Sequence, residues 1–217
     1  MRPRRDRWTD EDGAALIVAL LIVLLLGAIG GGLVALANTE TAIAASFRHV
    51  HEATYAAEAG VELALHDLAM LTDWSVVIAS PPANRRSAFV DRTMFPTAPD
   101  GTVLDLAALT SIRQRDSDAR EGPDVFGADN PQWRLYAFTP LSDVLPRSLP
   151  STPAYVIVWV ADDGVDGDGD PTMDANGVVM VRAEAFGSRG ARRTIEATVS
   201  RAENRTIRVL TWREVRS

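Results

Sequence analysis

The sequence predicts an α+β protein in which a long N-terminal helix, a membrane span continuing into an amphipathic half, packs on a head domain built around a mainly antiparallel β-sheet. Three observations predict it. Residues 14 to 37 carry no formal charge, residues 43 to 71 place apolar side chains three and four apart, and residues beyond 131 fall into short runs of β-formers parted by turn residues. The 217-residue chain divides on this reading into a leader (1–13), a transmembrane and assembly helix (14–37), its amphipathic continuation (38–79) and a head (80–217).

The leader carries Arg2, Arg4, Arg5 and Arg7, then the acids Asp10, Glu11 and Asp12. The arginines predict a cytoplasmic N-terminus with the rest of the chain outside, because acids count for little in the positive-inside rule. The 24 uncharged residues that follow make a helix of roughly 36 Å, enough to cross a hydrocarbon core of ~30 Å and longer than the apolar region of a secretory signal. Gly27, Gly30, Gly31 and Gly32 within it permit either close helix packing or local melting. Ile43, Phe47, Val50, Thr54, Ala57, Val61, Leu65, Leu68 and Leu71 form one stripe beyond the span, and no proline interrupts residues 14 to 73. One continuous helix of roughly 90 Å is therefore expected, ended at the latest by Pro81 and Pro82.

Residues 80 to 131 are rich in Pro, Asp and Arg and read as loop, with a short helix near Leu104 to Arg113. Five strands are expected after them, at Gln132 to Thr139, Ala154 to Ala161, Val178 to Phe186, Ala191 to Ser200 and Thr206 to Trp212. The turn Gly-Ser-Arg-Gly at 187–190 joins the third and fourth at hairpin distance, which makes that pair antiparallel.

A formal charge of -7 argues against a nucleic-acid partner, and the absence of cysteine excludes disulfides and thiolate metal sites. Every basic residue is arginine, which locates no site. His49, His51 and His66 lack metal-site spacing, and no nucleophile motif, metalloprotease helix or P-loop occurs. Glu58 has no second group to pair with in acid–base work, so no catalysis is expected.

The loop at 162–177, DDGVDGDGDPTMDANG, is the strongest chemical signal. Six aspartates fall within 13 positions with no basic residue among them, and their repulsion opposes an ordered turn. Calcium would remove that cost: Asp166, Asp168 and Asp170 alternate like the first ligands of an oxygen-only loop, with Asp174 or Asn176 to close the shell. Pro171 and Gly177 stand where an EF-hand needs its glycine and its bidentate glutamate, so an EF-hand is excluded. The competing expectation is a solvated acidic turn between two strands.

A short charged leader ending in glycine, a small residue after it, and a span that begins at once and continues as an amphipathic helix resemble the class III signal of the type IV pilin superfamily. Within it the chain looks most like a PilX-type minor pilin. The resemblance rests on GAALIVALLIVLLL (13–26) and YAAEAGVELAL (55–65), the first quarter to third of the chain. It implies cleavage after Gly13 by a prepilin peptidase, methylation of Ala14, and assembly with other pilins through the N-terminal helix after extraction from the inner membrane. Two departures stand out: acids occupy the leader positions where the superfamily has basic residues, and Val18 replaces the usual glutamate five residues into the mature chain. Since that glutamate is thought to neutralise a neighbouring subunit's free amine, Val18 implies a low-copy subunit at a filament tip or in an initiating complex. The expected function is thus a minor pilin-like structural subunit of a type IV pilus. The alternatives are a pseudopilin of a type II secretion system and an extracytoplasmic binding or enzyme domain on a permanent anchor.

Overall fold

The computed structural model describes residues 8–80, 85–146, 152–202 and 206–215. The fold is α+β, with a long apolar N-terminal helix and a five-stranded antiparallel sheet in the order β1-β2-β3-β4-β5. The chain separates into two units, the first ending at Phe47 and the second beginning at Arg48.

Helix α1 runs from Trp8 to Ala69, unbroken through Gly27, Gly30, Gly31 and Gly32. No atom lies within 4 Å of where a side-chain carbon would stand at any of these four glycines, so nothing packs against them here. In the first unit the large apolar side chains from Leu16 to Leu36 are all more than half exposed. This helix is long and apolar enough to cross a membrane.

In the second unit α1 buries Ala53, Ala56, Ala57, Gly60, Val61, Leu63, Ala64, Leu65 and Leu68. The expected stripe holds from Ala57 to Leu68, but Ile43 and Phe47 are exposed. The small residues are what let the helix approach the sheet. A side-chain carbon at Gly60 would stand 2.6 Å from Val156 Cγ1 and 3.1 Å from Ala183 Cβ. Gly60→Leu should therefore force helix and sheet apart and destabilise the protein by about 1–3 kcal/mol, measured by denaturant unfolding. Unchanged stability would mean that this contact is loose.

The helix ends at Ala69, short of the prolines; Pro81 and Pro82 lie outside the described residues. The reason is tertiary. The backbone N–H groups of Met70 and Leu71 tighten the last turn onto the Asp67 and Leu68 carbonyls, and the fully buried Trp74 folds back so that Nε1 donates to the Leu68 carbonyl at 2.9 Å. A separate turn, α2 (Ser75–Ile78), follows.

The five strands are β1 (Arg134–Pro140), β2 (Ala154–Asp162), β3 (Val178–Gly187), β4 (Arg192–Arg201) and β5 (Ile207–Val215), every neighbouring pair antiparallel. All five lie within two or three residues of the stretches expected from sequence. The β3–β4 turn is Gly-Ser-Arg-Gly as expected, with Arg189 and Gly190 both at positive φ. One face of the sheet carries Val156, Val158, Val160, Val181, Ala183 and Ala197 against α1 and α2. The other carries Leu135, Tyr155, Ile157 and Trp159 against Leu104 and Leu106.

The helix in that second covering extends well beyond the short one expected near Leu104 to Arg113. Helix α3 spans Leu106–Glu121, its N-terminus capped by the Asp105 carboxylate accepting from the Ala108 N–H at 2.9 Å. It is followed by α4 (Pro123–Phe126) and a 3₁₀ turn at Gly127–Asp129. With a helix on each face, β2 is buried along its whole length. A last short helix, α5 (Leu141–Val144), follows β1.

Candidate functional site

The residues expected to serve cleavage and assembly lie within α1, and Gly13, Ala14 and Val18 are all exposed. The histidines hold no metal geometry: His49 pairs with Glu52 at 3.3 Å, while His51 and His66 are exposed.

The acidic loop between β2 and β3 has a definite internal order, and it sorts the expected calcium ligands into two groups. Asp170 is committed to its own turn, where its Oδ1 accepts from the Thr172 N–H at 3.0 Å and the Thr172 hydroxyl at 2.6 Å. Those bonds hold its carboxyl below the usual range. Asp174 closes the loop: its Oδ1 accepts from the Gly177 and Val178 N–H groups, and its Oδ2 pairs with Arg201 at 3.2 Å. Burial raises its pKa, opposed by these bonds and by Arg201. Asn176 donates its amide to the Asp163 carboxylate at 3.1 Å. None of these three belongs to the acidic groups that converge elsewhere in the loop.

Asp166 and Asp168 do converge, with partners that the alternation did not indicate. Carboxylate oxygens of Asp162, Asp163 and Asp166 lie within 4.8 Å of one another, and so do those of Asp129, Asp166 and Asp168. Asp166 is common to both sets. Asp162, the last residue of β2, is completely buried, and Asp129, at the end of the 3₁₀ turn, is 9% exposed. Asp162 Oδ2, Asp166 Oδ1 and Asp129 Oδ1 are all buried and accept no hydrogen bond. The Asp162 carboxyl is pushed up to about 8, first by burial and then by the negative charge of Asp166, with Asp163 and Asp174 adding to it. Burial, followed by Asp166, likewise raises Asp163, and the Asn176 amide opposes the rise.

Glycine 164 makes the convergence possible. It is buried at φ +69°, and a side-chain carbon there would stand 3.0 Å from the Asp129 carbonyl oxygen and from Pro131 Cδ. The antiparallel pairing of β1 with β2 brings the segment before β1 beside the loop after β2, and the missing side chain at Gly164 lets their backbones approach this closely. Asp162 and Asp163 were visible in the sequence as part of the acidic run. Asp129 was not, because 37 residues separate it from Asp166 and no spacing rule spans a sheet register.

A second polar cluster lies between α3 and the sheet. Glu184 is completely buried and accepts from Arg113 Nε at 3.0 Å and from the Arg192 side chain. Glu196 receives Arg182 Nη1 at 3.2 Å and the Arg213 guanidinium. Burial raises the Glu184 pKa while Arg113 and Arg182 pull it down. These ion pairs tie α3 to β3, β4 and β5, and their guanidiniums are engaged structurally. No protein family, no curated protein and no solved structure matches this chain.

Proposed function

We propose that this chain is a pilin-like structural subunit, of the minor-pilin kind, that takes part in assembling a type IV pilus or sits at its tip. Before assembly, residues 14–37 hold it in the inner membrane with the head outside the cytoplasm. A prepilin peptidase then cuts after Gly13 and methylates Ala14, and the freed helix packs against other pilins.

One observation carries this reading. The same unbroken helix that exposes hydrocarbon from Leu16 to Leu36 also supplies Ala53 to Leu68 to the buried face of the sheet. A cleavable secretory signal is discarded and contributes nothing to a core, and an ordinary anchor can be joined by a linker to a domain complete without it. Here the head's core is incomplete without α1, as expected of a subunit in which one helix serves both lipid and head.

Intact mass of the protein recovered from cells with an active prepilin peptidase should begin at a methylated Ala14. Gly13→Leu, too large for the position before the cut, should leave full-length chain in the membrane. Recovery of wild-type protein that retains Met1 would sink the pilin reading and leave a permanently anchored domain.

A further inference from the structure

We infer that the head binds a calcium ion at Asp166, held with Asp129 and Asp168 in one set of carboxylates and flanked by Asp162 and Asp163 in a second set that shares Asp166, and that this ion fastens the segment before β1 to the loop after β2. The geometry departs from a ligand set read along the loop: Asp170, Asp174 and Asn176 are spent on hydrogen bonds and an ion pair, Asp168 Oδ1 accepts from the Asp170 N–H at 2.8 Å but the residue still belongs to an acidic set with Asp166, and Asp129 arrives from a distant part of the chain.

The unsatisfied oxygens point to a ligand. An acidic cluster on a surface is ordinarily solvated, but Asp162 is completely buried and Asp129 nine-tenths buried, each has one buried oxygen with no donor, and each belongs to a carboxylate set that includes Asp166. A buried acceptor without a partner costs about 1–3 kcal/mol, more when charged, and three together are not a neutral feature of a folded protein. The charges that act most on Asp162 are the carboxylates of Asp166, Asp163 and Asp174. A cation is the missing counter-charge.

The donors select the ion. All are carboxylate oxygens, which suit a hard cation and offer nothing to zinc or copper that imidazole or thiolate would supply. Oxygens around one calcium at ~2.3–2.6 Å lie at most about 5 Å apart, and the two acidic sets fit within that limit. Magnesium, with bonds of ~2.0–2.1 Å and a rigid octahedron, would require the carboxylates to contract. The ion also has a mechanical role. Without cysteine the head has no covalent staple, and a cation between Asp129 and the 162–168 loop would join two segments that approach closely at Gly164.

The test is titration calorimetry of the full chain in detergent micelles, stripped with chelator and titrated with CaCl2, with MgCl2 in parallel. Saturable calcium binding is expected, with a dissociation constant on the order of 10⁻⁴–10⁻³ M as in extracellular modules, and much weaker magnesium binding. Asp166→Asn should weaken calcium binding at least about tenfold, Asp168→Asn should weaken it less, and Asp170→Asn should leave it unchanged. Asp168 and Asp170 head groups reach the loop surface, so their variants keep the comparison available should Asp166→Asn fail to fold. No saturable heat up to ~10 mM calcium would overturn the inference. So would a loss in Asp170→Asn equal to that in Asp168→Asn, because the ion would then follow the loop repeat and not the Asp129 convergence. The result is independent of where the N-terminus is cut, so it stands or falls apart from the filament reading.

Discussion

Glu184→Ala should destabilise the head by about 3–5 kcal/mol, among the largest losses available from a single side chain here. The carboxylate is wholly buried and shared between Arg113, itself 6% exposed, and Arg192. Its removal leaves the Arg113 guanidinium under α3 with only Asp116, at 2.9 Å and half exposed, to balance it. Most of the cost is that uncompensated cation, since an ion pair replaced in full by apolar groups can be neutral. Two controls separate charge from shape. Glu184→Gln keeps the volume and one acceptor but loses the charge, so it should recover part of the stability. Glu184→Met with Arg113→Met should recover more than either single change suggests. Tryptophan fluorescence during denaturant unfolding reads the effect, and a Glu184→Gln variant as stable as wild type would show that the charge is immaterial.

Trp74→Ala should cost a comparable ~3–5 kcal/mol. The indole is fully buried in the core between α1 and the sheet, donates to the Leu68 carbonyl at the end of α1, and lies under the Arg201 guanidinium at 4.6 Å. Three contributions are lost at once: the apolar burial, the bond that satisfies a helix C-terminal carbonyl, and a cation–π contact. Trp74→Phe retains most of the first and should cost about 1–2 kcal/mol for the missing donor. If Trp74→Phe were as damaging as Trp74→Ala, the indole hydrogen bond and not the apolar burial would dominate. Arg201 also bonds the Thr72 carbonyl and pairs with Asp174, so the end of α1 and the base of the acidic loop share one arginine. Arg201→Ala should accordingly lower stability less than Trp74→Ala.

Periodicity alone determined the fold class of this protein. An uncharged run of 24 residues is long and apolar enough for a membrane-crossing helix, a stripe at three and four marks a helix with one buried face, and short β-rich runs, two of them joined by a tight turn, mark a sheet with antiparallel pairing. Those signals are local, and local steric and burial rules suffice to read them. The charged positions Arg182, Glu184 and Glu196 were a different matter. In sequence they are polar residues alternating along a strand, which normally marks a solvent face. Only the docking of α3 across that face turned them into a buried network. The same limit governs the end of α1, where no proline or glycine stops the helix at Ala69; Trp74, five residues further on, does so by folding back onto Leu68. It governs the acidic site too. The aspartate run showed that charge is concentrated after β2, but which carboxylates converge depended on the pairing of β1 with β2 and on the close approach of the Asp129 backbone at Gly164. Composition along the chain fixes how much charge a loop carries, and the partners of each carboxylate are chosen by contacts between segments that the sequence keeps far apart.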